Sequence, residues 1–113
     1  MNGMVLRVEE AWEEAGLSFV AQIHRSPGKA LGRFRIVWPG QGELHSALID
    51  LRLGCFGQAG YLAVAGPSFS LEPAGIVEFE VQTDSVSCPL CLEILIELCG
   101  SVQAVVQRRI CEP

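Results

Sequence analysis

Along most of this 113-residue chain, apolar and polar side chains change places at every step. Leu17, Phe19, Ala21 and Ile23 alternate with Ser18, Gln22 and His24, and Phe34, Ile36 and Trp38 alternate with Arg33, Arg35 and Val37. Ile49, Leu51 and Leu53 alternate with Leu48, Asp50 and Arg52, and Val77, Phe79 and Val81 with Ile76, Glu78, Glu80 and Gln82. Leu92, Ile94, Ile96 and Leu98 alternate with Glu93, Leu95 and Glu97, and Val102, Ala104 and Val106 with Ser101, Gln103 and Gln107. A period of two belongs to the β-strand, whose successive side chains point to opposite faces, whereas a helix needs 3.6. Each run has strand length and stops at Gly, Pro, Ser or Asp, as at Ser26-Pro27-Gly28 and Pro39-Gly40.

Met4, Leu6 and Val8 suggest an opening strand, and Tyr61 to Ala65 a short one ahead of Gly66-Pro67. Glu9 to Ala15 is the one place where a helical turn fits, with Gly16 ending it. About eight short strands, each apolar on one face, predict two antiparallel sheets packed face to face. The expected fold is therefore all-β, an antiparallel immunoglobulin-like sandwich. At this length, with half of the residues apolar, the chain supplies one core, so residues 1–113 are expected to form a single domain.

The net charge is −5, from 8 basic and 13 acidic residues. Binding nucleic acid rests on a basic excess that displaces counterions from phosphate, and that class is excluded as an expectation. No apolar run reaches the roughly 20 residues of a transmembrane helix. Met1 to Val8 holds one arginine and leads into glutamates, unlike a secretion signal, so the expected home is cytoplasmic. Five cysteines, an odd number, are then expected to stay reduced.

No constellation of residues declares a reaction. His24 and His45 fall in different segments, and no Gly-x-Ser-x-Gly elbow occurs, so no catalytic residue is assigned. Cys88-Pro89-Leu90-Cys91 is followed by Cys99 and Cys111, but a structural zinc site uses two closely spaced pairs and only one exists here. No metal or other cofactor is expected. Gly54 to Gly60 is rich in glycine, but the segment after it is a strand rather than the helix a phosphate loop requires, so it reads as a turn. The arginines carry more information. If their strands pair, Arg33, Arg35 and Arg52 form one basic patch on an acidic protein, suited to an acidic peptide. The alternative is dispersed, solvated arginines, one of them paired with Asp50.

Read end to end, the chain resembles the ear (appendage) sandwich of clathrin-adaptor subunits, including the gamma-adaptin type. The resemblance runs through Gly16-Leu17-Ser18-Phe19, the Pro-Gly turn after His24-Arg25 and the strand Arg33 to Trp38. It continues through Ser46-Ala47-Leu48-Ile49-Asp50-Leu51, the Gly54-Cys55-Phe56-Gly57 turn, Ser70-Leu71-Glu72-Pro73 and two closing strands. It implies a non-enzymatic interaction module of a coat, adaptor or ciliary-trafficking subunit. Its partners would be peptide motifs of accessory proteins or subunits of its own complex, with peripheral membrane association through that complex. Cys91 and Glu93 stand where gamma-type ears carry basic residues, which departs from that ligand class. A second resemblance links Asp50-Leu51-Arg52-Leu53-Gly54-Cys55 to the Asp-x-Ser-x-x-Gly turn of PilZ domains. Arg52 and Cys55 replace two signature residues, which implies a degenerate relative that has lost cyclic di-GMP.

Overall fold

The computed structural model describes residues 6–37, 45–65, 68–71, 75–84, 86–99 and 103–113. Within them the chain forms nine strands: β1 (Leu6–Glu14), β2 (Leu17–Ser26), β3 (Lys29–Val37), β4 (His45–Cys55), β5 (Ala63–Ala65), β6 (Ser68–Leu71), β7 (Ile76–Asp84), β8 (Leu90–Cys99) and β9 (Ala104–Cys111). One sheet has the order β1-β2-β3-β7. The other has the order β5-β4-β8-β9, with β6 pairing beside β5 on the same edge of β4. All pairings are antiparallel. This is the all-β sandwich that the alternation predicts. Met4, Trp38, Pro39-Gly40, Gly66-Pro67, Glu72-Pro73 and Ser101-Val102 lie outside the described residues.

Alternation decides which side of each strand is buried. Phe19, Phe34, Ile36, Leu51, Leu53, Leu92, Ile94 and Ile96 form the centre of the core, with Val77 and Phe79 half-buried beside them. The two layers approach closely at Gly32 on β3. A Cβ there would stand 2.7 Å from Leu92 Cδ1 and 3.0 Å from Val81 Cγ2, so a larger residue would have to displace the Leu92 side chain.

The segment from Glu9 to Ala15 differs from the expected helical turn: residues 9–14 belong to β1. Val8 and Trp12 pack against the core on one face of that strand, and β1 pairs residue for residue with β2. Ala15 and Gly16 join them as a two-residue hairpin with both φ angles positive, 53° and 79°. That is the turn whose twist matches paired strands. Pro27 and Gly28 make the next hairpin, with the positive φ on glycine.

Candidate protein-interaction face

The three arginines expected to form a patch are separated. β3 lies between β2 and β7, while β4 lies between β5 with β6 and β8, so β3 and β4 do not pair. Arg33 and Arg35 point outward from the first sheet and Arg52 outward from the second, on opposite sides of the sandwich. Each already has a carboxylate. Arg33 meets Glu80 at 3.0 Å and Arg35 meets Glu78 at 2.7 Å, both directly across from them on β7. The hydrogen bond from Arg33 holds the Glu80 carboxyl below its usual range; partial burial opposes this and Gln82 adds to it. Arg52 pairs with Asp50 at 2.8 Å, two residues back on the same face of β4.

The outward face of the second sheet carries a different pattern. Cross-strand neighbours line up as Val64, Arg52, Glu93 and Arg109 in one row, and Asp50, Leu95 and Gln107 in the next. A third row reads Leu48, Glu97 and Val105. The Arg52 guanidinium lies 5.0 Å from the Tyr61 ring centre, and the Arg109 guanidinium 5.5 Å from that of Phe56. Tyr61 donates its hydroxyl to Glu93 at 2.7 Å, and Arg109 Nε stands 3.7 Å from the same carboxylate. The Asp50 carboxylate, and then Tyr61, shift the Arg52 pKa upward, so its charge is permanent.

Local backbone explains how Tyr61 reaches this row. Gly57 and Gly60 have φ angles of 78° and 84°, which fold the loop after β4 back on itself. Gly54 then leaves room for it: a Cβ there would stand 3.2 Å from the Gly60 carbonyl and 3.3 Å from the Tyr61 ring. The glycine-rich segment is a turn that carries an aromatic side chain over β4.

Among the described residues, seven large apolar side chains are exposed, and six of them belong to the second sheet or to this loop. They are Leu48, Phe56, Tyr61, Leu62, Val64 and Val105; the seventh, Ile76, is on β7.

Two ion pairs lie between the layers, and alternation alone did not point to them. Arg25 ends the inward row of β2 and grips both oxygens of Glu112, with Nε at 2.8 and 3.0 Å. Its Nη2 donates to Glu112 as well, at 2.8 Å, and to the Cys88 carbonyl, while Nη1 donates to the Val86 carbonyl. Glu112 also accepts the Leu90 amide at 2.7 Å. Burial pushes the Glu112 carboxyl up, but Arg25 and the Leu90 amide outweigh it and hold it below the ordinary range. At the same seam Arg108 pairs with Glu10 and lies 4.7 Å over the Trp12 ring.

The cysteines overturn the expectation of reduced thiols. Cys55 bonds to Cys88 and Cys91 to Cys111, while Cys99 takes part in neither bond. The sheet register is the reason, since Cys91 and Cys111 face each other across β8 and β9 with Cα atoms 4.0 Å apart. Three of the four thiols weighed for zinc, those of Cys88, Cys91 and Cys111, are thereby consumed, and Cys99 is the fourth. His24 lies on the outer face of β2 opposite Arg7 and Leu31, and His45 begins β4. Asp50 to Cys55, likened above to the PilZ turn, runs inside the extended β4, so the signature's turn is not formed. Among the described residues no helix is long and apolar enough to cross a membrane. Compared with protein-family models, curated proteins and solved structures, the chain matches none.

Proposed function

We propose that this chain is a non-catalytic protein-interaction domain that holds a neighbouring protein against the outward face of its second sheet. One observation carries the reading: the exposed large apolar side chains gather on that face and its loop rather than spreading over the surface. A sheet face turned to water is ordinarily polar, and on the first sheet Ile76 is the one large apolar side chain exposed among the described residues. Exposed apolar side chains set among arginine and aromatic residues have the composition of a protein interface.

The setting proposed from the adaptor-ear resemblance is a cytoplasmic coat, adaptor or ciliary subunit, with the neighbour a fellow subunit or an accessory peptide. The two disulfides favour a second setting for the same face, an oxidising compartment, because such bonds persist there and are reduced in most cytosols. Proximity labelling of the protein in its own cells tests the face. Leu48→Glu with Val105→Glu is expected to remove the labelled neighbours, and Arg33→Gln with Arg35→Gln to leave them in place. Identical neighbours for all three proteins would end the proposal. Rapid alkylation of cells before lysis separates the settings. Four blocked cysteines favour the oxidising compartment, and four reactive ones favour the ear.

A further inference from the structure

We propose that the Cys91–Cys111 bond is a thiol-exchange site, at which a low-molecular-weight thiol reversibly modifies Cys111. The two sulfurs project from the outward faces of β8 and β9, at directly opposed positions. Arg109 precedes Cys111 by two residues and shares its face. One of its terminal nitrogens lies 3.7 Å from Cys91 Sγ. Among the described residues, no cation donates a hydrogen bond to either sulfur of Cys55–Cys88, and Arg25 reaches only the Cys88 carbonyl, which makes that bond an internal reference.

A guanidinium never loses its charge at accessible pH, and a cation beside sulfur favours the thiolate over the thiol. In thiol–disulfide exchange the better leaving group is the sulfur with the lower thiol pKa. Arg109 therefore marks Cys91 as the sulfur that leaves and Cys111 as the one attacked. Exposure agrees, since Cys91 is 4% exposed while Cys111 is half-buried. A cleft of about 180 Å³, lined in part by Gly54, Tyr61, Glu93 and Arg109, lies beside Cys91 and leaves room for the departing sulfur to turn.

The other charged and titratable groups around Cys91 are accounted for. Glu93, on the same strand, opposes a thiolate by charge, but it accepts the Tyr61 hydroxyl and faces Arg109 Nε. Glu112 turns inward to Arg25. From β4, Gly54 stands opposite Cys91, and Cys55, held in its bond to Cys88, lines the same cleft. Arg109 is kept in place by the Phe56 ring, so its charge stays by the sulfur.

In the step itself, the external thiolate attacks Cys111 Sγ along the S–S axis and a new S–S bond forms. The Cys91–Cys111 bond breaks, its electron pair leaves on Cys91, and the thiolate remains beside Arg109. The sum is one disulfide and one thiolate on each side, with no separate oxidant. A second thiol attacking the adduct releases the modifier as its own disulfide and leaves Cys111 reduced. Attack by Cys91 on Cys111 instead regenerates the original bond.

The test is exposure of the oxidised protein to glutathione near neutral pH, with acid quenching and peptide mapping by mass spectrometry. The expected first product carries glutathione on Cys111 and a thiol on Cys91, with Cys55–Cys88 closed. Arg109→Leu is expected to slow its formation a few-fold and to raise the pKa of the Cys91 thiol in the adduct. Arg109→Lys, which keeps the charge, is expected to stay within about twofold of the parent rate. First adducts on Cys91, Cys55 or Cys88 would overturn the proposal. So would an Arg109→Leu protein that reacts at the parent rate. Should the leucine variant not fold, the adduct position and the lysine variant still decide.

Discussion

The outer faces of the two sheets both carry arginine and use it differently. On the first, Arg33 and Arg35 each meet a glutamate directly across on β7, and those pairs, with Asp84, line an edge strand with charge. Such an edge resists pairing with other chains. On the second, Arg52 and Arg109 lie near aromatic rings, and the exposed Leu48, Val64 and Val105 stand in the same rows as charged side chains. One face is finished as a solvated surface. The other leaves apolar area for something to cover, although both faces belong to strands of the same alternating pattern.

The largest expected effect provides the yardstick for this contrast and comes from between the layers. Glu112→Gln removes the carboxylate that holds a largely buried guanidinium, and is expected to cost about 2–3 kcal/mol in urea unfolding. If Glu80→Gln cost as much, the outer pairs would be structural too, and the contrast between buried and solvated charge would collapse.

Acid unfolding sharpens the same point. Glu112 and Glu80 are both held below their ordinary range, so the stability each adds is present above about pH 4.5 and is lost as pH falls through the lowered folded value. The acid-dependent loss is expected to shrink clearly in Glu112→Gln and barely in Glu80→Gln, measured as unfolding midpoint against pH.

A smaller effect separates the faces themselves. Leu48→Thr with Val105→Thr is expected to leave stability within about 0.5 kcal/mol while reducing retention on a phenyl matrix under native conditions. Ile76→Thr, on the first sheet, is expected to change retention less. Equal changes would mean that the second face is not the stickier one. The smallest effect belongs to Arg33→Gln and Arg35→Gln, each expected to cost under about 0.5 kcal/mol, because exposed pairs gain little over hydration.

How far the sequence could be read follows from which contacts are local. β1 with β2 and β2 with β3 are hairpins joined by two residues, so turn chemistry at Ala15-Gly16 and Pro27-Gly28 fixes their register. Alternation placed Phe34, Ile49 and Ile94 in the core. The pairing of β3 with β7 and of β4 with β8 joins distant segments, and alternation carries no register across them. Alternation therefore leaves open whether Arg33 and Arg52 are neighbours, and it does not show Glu78 and Glu80 as partners. The Cys91–Cys111 bond was within reach: every β8–β9 pair is symmetric about Ser101 in sequence, and both cysteines fall on the outward parity. The default of reduced cytoplasmic thiols hid it. Arg25 and Glu112 gave no such signal, since an inward-facing charge shows itself only once the facing layer is known.

Trp12 carries a consequence for following this protein in solution. Its indole stacks on Phe19 at 5.1 Å, lies under the Arg108 guanidinium, and has a buried Nε1 with no hydrogen-bond partner among the described residues. It therefore sits where β1 and β9 close the side of the sandwich, in surroundings much drier than water. Fluorescence from that ring, isolated by Trp38→Phe, should shift to longer wavelength when this side opens. The molecule thus contains its own optical gauge of how tightly its layers are shut.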